Sequence, residues 1–517
     1  MEQTNQEAYQ FPKSSSTRWA ALLSEGVQSC AFLIVFACAL ISPRLRAAEA
    51  ESPPPFGTIP SERQLRWHAL EFYGLVHFGL NTYTDQEWGF GNVSPEVFNP
   101  SQFDAGKIVA TAKDAGMRGL ILVCKHHDGF CLWPSAYTDY SVKSSPWLNG
   151  KGDVVRDFAQ ACHSRGLKFG VYLSPWDRHQ PDYGRPEYLT YYRNQLRELL
   201  TGYGEIFMSW YDGANGGTGY YGGAQGIRSI DRSSYYDWSA TWDIVRQLQP
   251  MACIFSDVGP DVRWAGNEQG QGEDPCWYGL ITEGLYPGAP IKTSLGRGIR
   301  NGPQWIPPEC DASIRPGWFY HAKEDGKVKP PAALINIYYA SVGRGACLDL
   351  NIPLDTRGLI PDRDATVLHR LGATLRTTFA NDLARKATVS ASNTRGQAKR
   401  FSPDLVLDGD SQTYWTCDDA ITTPELVVDL AKPTTFNVVR VKEFLPLGQR
   451  VEGFALDQWT GVEWKTFATG VSIGSQRLMR SERITTTKVR LRISKAAACP
   501  AISEVSVFLE PSPATTR

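Results

Sequence analysis

Between Tyr73 and Ser256 the chain alternates between two hydrophobic patterns. Short apolar runs occupy Tyr73–Phe78, Gly119–Val123, Lys168–Leu173, Glu205–Trp210 and Ala252–Ser256. Runs of this length, bounded by turn residues, predict buried strands. The segments between them carry apolar residues three and four apart, which predicts helices. Asp104 caps one that presents Ile108, Ala112 and Ala115 and stops near Gly116. Asp153 opens a second, with Val155, Phe158, Ala159 and Cys162 on one face and Gly166 at its end. Pro186 opens a third through Leu189, Tyr192, Leu196 and Leu199, and Trp238, Trp242 and Val245 lead a fourth into Pro250. Caps, period and stops agree. Repeated strand–helix units predict a parallel sheet, and their number in a chain of this length favours a (β/α)8 TIM-type barrel. A doubly wound sheet is the alternative, but no Gly-rich phosphate loop follows the first strand. Ala333–Ala340 and Ala346–Ile352 are predicted as late strands.

Near Asn381 the pattern changes to short alternating runs such as Leu426–Leu430, Val438–Val441 and Lys488–Ile493. Period-two alternation without helical segments predicts an all-β sandwich. The chain therefore divides into a barrel over residues 63–378 and a sandwich over 379–512, joined near 375–385.

The N-terminus adds an address. Lys13 and Arg18 precede an apolar run from Cys30 to Ile41, too short to span a bilayer, and Ala48-Glu49-Ala50 has the small-residue form of a cleavage site. Residues 1–50 thus predict an export signal, with a retained anchor as the alternative, and 51–62, with three consecutive prolines, a linker. The mature protein is expected in the periplasm or outside the cell, with no membrane partner. A formal net charge of −1 supplies no basic field for nucleic acid. Past the signal, nine cysteines remain, an odd number without C-x-x-C spacing. That implies neither a zinc site nor a dense disulfide framework, though one or two bridges stay open.

The chemistry gathers where the predicted strands end. The first ends in His77-Phe78-Gly79, followed by Glu87-Trp88-Gly89; the second in Lys125-His126-His127-Asp128-Gly129; the third in Tyr172-Leu173-Ser174-Pro175-Trp176. The fourth stops at Asp212-Gly213, and the segment after the fifth runs from Gly259 to Glu268. A barrel brings such ends to one mouth. Adjacent His126 and His127 face opposite ways on a strand, so they make a poor metal pair. Imidazoles that bond hydroxyls and indoles that cover an apolar ring face suit a sugar. Glycoside hydrolysis needs one carboxylate to stay ionised and a second acid kept protonated. Asp212, at a strand tip, suits the first role, and Glu268, beside Trp264, the second. Asp257, Asp261, Glu273 and Asp274 compete, and spacing does not choose among them.

Residues 67–355 resemble the α-L-fucosidases of glycoside hydrolase family 29. The carriers are H-F-G at His77, E-W-G-F-G at Glu87, K-H-H-D-G-F at Lys125, S-P-W-D-R-H at Ser174, W-Y-D-G-A at Trp210 and G-P-D-V-R-W-A-G-N-E at Gly259. The resemblance implies a retaining exo-acting enzyme on fucosylated glycans, needing no cofactor, with Asp212 as nucleophile. The G-N-E segment is similar to that of the branch cleaving α-1,3 and α-1,4 links, which implies Glu268 as acid/base. It further implies that His77, Glu87, Trp88, His126, His127, Tyr172 and Trp318 hold the fucose. A non-catalytic glycan-binding protein and a glycosidase acting on α-L-galactosides are the alternatives. The C-terminal domain resembles the discoidin-like jelly rolls of carbohydrate-binding module family 32, through Ala387–Ser392, Leu407–Asp410 with Thr413–Trp415, and Ile502–Val505. That resemblance implies a structural calcium held by oxygens of Asp408, Asp410, Thr413 and Glu504.

Overall fold

The computed structural model describes residues 50–290 and 293–511, so the predicted export signal lies outside the described residues except for Ala50. Eight parallel strands close a barrel: Phe72–Val76, Gly119–Lys125, Lys168–Leu173, Met208–Trp210, Cys253–Ser256, Val262–Trp264, Pro308–Ser313 and Cys347–Asn351. They pair in chain order, and the last returns to the first through Phe72↔Leu348 and Gly74↔Leu350. The helices begin where side chains can satisfy their open N–H groups. Asp104 accepts from Lys107 N (2.9 Å) at the start of Ala105–Asp114, and Asp153 from Arg156 N (2.9 Å) at the start of Val154–Arg165. Pro186 sits at the first position of Pro186–Gly202, where its missing N–H costs nothing.

Two expectations change. Ala333–Ala340 is not a strand but most of a helix, Pro331–Ala340, burying Leu334, Ile335 and Tyr338. A short unbroken apolar run fits either element, and here the prolines at 330 and 331 set up a helix start. The true seventh strand, Pro308–Ser313, was hidden because its sequence P-E-C-D-A-S is not apolar, although all six residues are buried. Val262–Trp264, within a stretch read as loop, is the sixth strand.

The C-terminal domain is antiparallel. Glu425–Glu443 and Arg477–Ala496 form its long central pair, flanked by Ala501–Phe508, Val451–Trp459 and Trp464–Gly470, with Thr388–Ala391 and Trp415–Thr416 at the margins. The predicted Leu426–Leu430 and Val438–Val441 are two halves of one 19-residue strand. Its register shifts between Asp429 and Thr434 and again near Phe436, as a strand bending around a core does. Leu426, Val428, Val441, Leu491 and Ile493 fill that core.

The sandwich is keyed to the barrel by polar contacts. Lys442 pairs with Glu71 (3.0 Å), just before the first strand. Gln449 accepts from Tyr278 N (3.1 Å) and donates to Cys276 O (2.9 Å). Residues of the predicted linker lie along the sandwich, where Phe56 N donates to Leu447 O (3.0 Å) and Arg395 to Glu51 O (2.6 Å). The nine cysteines among the described residues are buried thiols without a bridge.

Candidate active site

A cavity of about 290 Å³ opens at the C-terminal ends of the strands. Asp212, Glu268, His77, Glu87, Trp88, His126, His127, Tyr172 and Trp318 all line it. Residues scattered over some 240 positions converge there because each lies at or after the C-terminal end of a strand of one closed barrel.

Asp212 is held on both oxygens. Oδ1 accepts from Ala214 N (2.6 Å), Oδ2 accepts from the Tyr172 hydroxyl (2.9 Å), and His127 Nε2 stands 3.8 Å from Oδ2. The hydrogen-bond chain fixes the tautomer of His127. Ser174 donates to Trp176 O (2.7 Å), so its oxygen accepts from His127 Nδ1–H (2.7 Å). Burial holds this ring below the usual histidine range, and as a neutral ring it turns a lone pair toward Asp212. The same reasoning applies to His77. Asn351 spends its amide hydrogens on Ser313 Oγ (2.9 Å) and Trp318 O (2.8 Å), so its Oδ1 takes His77 Nδ1–H (2.8 Å). Burial lowers His77 to about 4, leaving Nε2 as an acceptor. His126 has the opposite arrangement. Asn81 Nδ2 approaches its Nδ1 (3.5 Å), so a neutral His126, lowered by burial and by His127 and His77, carries its hydrogen on Nε2. Two acceptors and a donor on adjacent rings suit a ligand rich in hydroxyls.

Glu87 touches the cavity, but its carboxylate is committed to the opposite wall. It accepts from Trp318 N (3.0 Å), Phe319 N (3.2 Å) and His321 Nε2 (2.6 Å), and so sets the position of the Trp318 indole. Trp88, 53% exposed, stands edge-on to His127 and Trp176 with ring centroids 5.1 and 5.7 Å away. Arg178 fixes its loop by donating to Trp88 O (2.9 Å) and Gly89 O (2.8 Å).

Glu268 stands at the open edge, its Oε2 taking Trp318 Nε1 at 3.4 Å. Water withdrawn by the surrounding protein, with the charges of Asp212 and Glu87, raises its carboxyl above the usual range. Its competitors separate cleanly. Asp261 is buried in ion pairs with Arg63 (3.0 Å) and Arg246 (2.6 Å), away from the cavity. Glu273 faces Arg297 (4.0 Å), and Asp274 pairs with Arg477 of the sandwich. Only Asp257 shares the cavity, and burial pushes it up to about 6. It accepts from Gly288 N (2.9 Å) and presses on Gly213, where a Cβ would lie 2.1 Å from Oδ2. Asp257 therefore clamps the loop after Asp212 to the loop at Gly288, and a side chain at 213 would have to displace that carboxyl.

Sequence reasoning missed Asn351, Trp264 as a lining residue, and Asp311. Asn351 ends the last strand, Cys347–Asn351, and lies one residue inside the predicted Ala346–Ile352, so the strand-end rule that found His77 applied to it as well. Asp311 lies on the unrecognised seventh strand.

Behind the site, Lys125 is fully buried against Asp177 (3.1 Å) and Gln195 Oε1 (2.9 Å), among the rings of Tyr188, Tyr191 and Tyr192. Asp177 in turn takes His179 N (3.0 Å) and Gln180 N (2.9 Å). Lys125→Met leaves that carboxylate without its cation, an expected loss of about 3–5 kcal/mol, read as a lower urea midpoint.

The four residues expected to hold calcium do not form one oxygen cage. Asp408 takes Asp410 N (2.8 Å) and Thr413 Oγ1 (2.7 Å), which closes the turn on itself. Glu504 is paired with Arg440 (2.6 Å) and Lys442 (3.8 Å), while the Arg385 guanidinium donates to Leu407 O (2.5 Å) and lies against Gly409. Cationic side chains stand where a calcium ion would need anionic oxygen, so the donor set as folded does not fit that ion. Among the described residues no group of three or more His, Cys, Asp or Glu is placed to hold a metal.

Residues 58–378 match the alpha-L-fucosidase family. Alpha-L-fucosidase 1 of Arabidopsis thaliana is 41% identical over 473 residues, covering 90% of each chain. Among solved structures, a glycoside hydrolase 29 family member from an unknown rumen bacterium is 42% identical with a TM-score of 0.79, covering 89% of this chain and 79% of that one. A glycoside hydrolase family 29 fucosidase of Ruminococcus gnavus in complex with fucose is 30% identical with a TM-score of 0.81, covering 90% and 97%.

Proposed function

The chain belongs to the α-L-fucosidases of glycoside hydrolase family 29, and from that premise we propose that it is a retaining exo-enzyme that removes terminal α-1,3- or α-1,4-linked L-fucose from glycans. One observation carries the reading. Asp212 is held by Tyr172 and Ala214 on one side of a sugar-sized cavity, and Glu268, its carboxyl raised partly by Asp212, faces the same space. Asp212 attacks the anomeric carbon while Glu268 gives its proton to the leaving oxygen. The aglycone departs, leaving a fucosyl ester on Asp212. Glu268, now ionised, takes a proton from water, which displaces Asp212 and releases fucose with the original anomeric configuration. The histidines bond the sugar hydroxyls with the polarity set by their tautomers, and Trp318 and Trp88 shield the ring from solvent.

The linkage rests on the G-N-E segment, export on residues 1–50, and a glycan-targeting role on the discoidin-like pattern of the C-terminal domain. Purified protein incubated with linkage-defined fucosylated oligosaccharides is expected to release fucose from α-1,3 and α-1,4 branches, with retention seen by NMR in the first-formed product. Release from α-1,2 links alone, or inversion, would overturn the assignment. Absence of any release would reject catalysis.

A further inference from the structure

Three carboxyl side chains stand inside the barrel beneath the cavity, and the proposed reaction uses none of them. Glu309 and Asp311 are two apart on the seventh strand and so share its inner face; Asp349, on the eighth, is the register partner of Asp311. Glu309 takes Trp210 Nε1 (2.8 Å) and the Tyr73 hydroxyl. Asp349 is wholly buried and neither of its oxygens has a hydrogen-bond partner. Asp311, 6% exposed, takes Trp264 Nε1 on Oδ1 (2.8 Å) and also lines the cavity.

Among the described residues no cation accompanies these groups: the charges acting on Asp311 are those of Glu309 and Glu268, both carboxyls, and Asp349 feels Glu309 and Asp311. A carboxylate with no hydrogen bond in a dry interior is untenable, and three side by side more so. The cluster must hold protons. Burial, reinforced by Glu309 and Glu268, drives Asp311 well above the ordinary aspartate range. A protonated Asp311 keeps Oδ1 as acceptor for Trp264 and has one hydroxyl to place, with the sugar cavity beside it.

Resting on the fucosidase reading, we propose that Asp311 works as a neutral carboxylic acid whose O–H donates a hydrogen bond to a hydroxyl oxygen of the bound sugar. It is a binding residue that adds a donor to the cavity floor without adding a charge beside Asp212 and Glu268. A third negative charge there would compete with the ionised Asp212 that the reaction needs.

Asp311→Leu and Asp311→Asn test this on an aryl α-L-fucoside. Losing one neutral hydrogen bond costs about tenfold in kcat/KM, and the loss in Asp311→Leu is expected mainly in KM. Asp311→Asn keeps an acceptor for Trp264 and restores an N–H donor, so it should recover part of that loss and leave the alkaline limb of the pH profile in place. If Asn is as damaging as Leu, or moves the alkaline limb to lower pH, the working form is the carboxylate and the proposal falls. Wild-type activity in Asp311→Leu would also end it. Should the Leu variant not fold, infrared spectroscopy decides on wild type and Asp311→Asn alone. A carboxylic-acid C=O band is expected in the wild type, shifted by L-fucose and missing from Asp311→Asn. No such band, or a band indifferent to fucose, overturns the proposal. A wild type that neither turns over nor binds a fucoside fails the functional reading instead, and the band still reports the proton on Asp311.

Discussion

Asp212→Ala is expected to lower kcat on an aryl α-L-fucoside by on the order of 10⁴–10⁶, the scale seen when a covalent nucleophile is removed. The size follows from how completely the site is built around this carboxylate. Ala214 N holds one oxygen, Tyr172 the other, and the lone pair of a neutral His127 faces it at 3.8 Å. No neighbour can take over. Asp257 is tied to Gly288 N and wedged against Gly213, and Glu268 is the proposed proton donor to the leaving oxygen. Asp212 is partly solvent-exposed and, among the described residues, pairs with no Lys or Arg, so the variant should keep its thermal midpoint and its affinity for fucose. Azide adds a stereochemical check. An azide ion occupying the space vacated by Asp212 attacks once, so the fucosyl azide formed should have inverted configuration. Near-normal turnover, or a retained azide product, would place the nucleophile elsewhere.

The route from sequence to this site worked where the code is local and failed where it is not. The first five strands are bounded by turns and made of apolar residues, so their ends, and with them His77, His126, His127, Tyr172 and Asp212, could be read directly. The seventh strand could not be read, because the interior of the barrel there is polar. Glu309 and Asp311 replace the branched aliphatics that mark a strand, and they are tolerated only because Tyr73, Trp210 and Trp264 reach them with donors. With that strand hidden, Asp311 stayed hidden too. The apolar helix Pro331–Ala340 reads as a strand for the complementary reason: Leu334, Ile335 and Tyr338 are buried on one face, but apart from Asn336 the positions outside that face are apolar too, so no polar stripe marks the helix. The choice of Glu268 over Asp261, Glu273 and Asp274 needed three dimensions. Their partners Arg63, Arg246, Arg297 and Arg477 are up to some 200 residues away in the chain, and no spacing rule reaches that far.

Glu268→Ala separates protonation from attack. With a leaving group that needs a proton, kcat/KM is expected to fall about 10²–10⁴-fold, the usual contribution of a positioned general acid. With an activated aryl fucoside, whose leaving group departs unaided, the first step should be nearly unaffected, and hydrolysis of the ester on Asp212 becomes slow for want of a base. Azide, which needs no base, should then restore turnover and give a fucosyl azide of retained configuration. That is the opposite stereochemistry from Asp212→Ala, because the anion now displaces Asp212 instead of replacing it. The pH profile carries the same assignment. Glu268 must be protonated for the first step, and its carboxyl is raised by burial and by the charges of Asp212 and Glu87. On the alkaline side, activity is therefore lost as the pH climbs through that raised value. Removing the group should abolish the alkaline limb of kcat/KM for the substrate whose leaving group needs that proton. Asp257, pushed up to about 6, is another acid in the cavity that could give such a limb. A limb that survives in Glu268→Ala and disappears in Asp257→Asn would transfer the acid/base role to Asp257. A variant that loses its limb and yields retained azide product leaves Glu268 as the group that protonates the leaving oxygen.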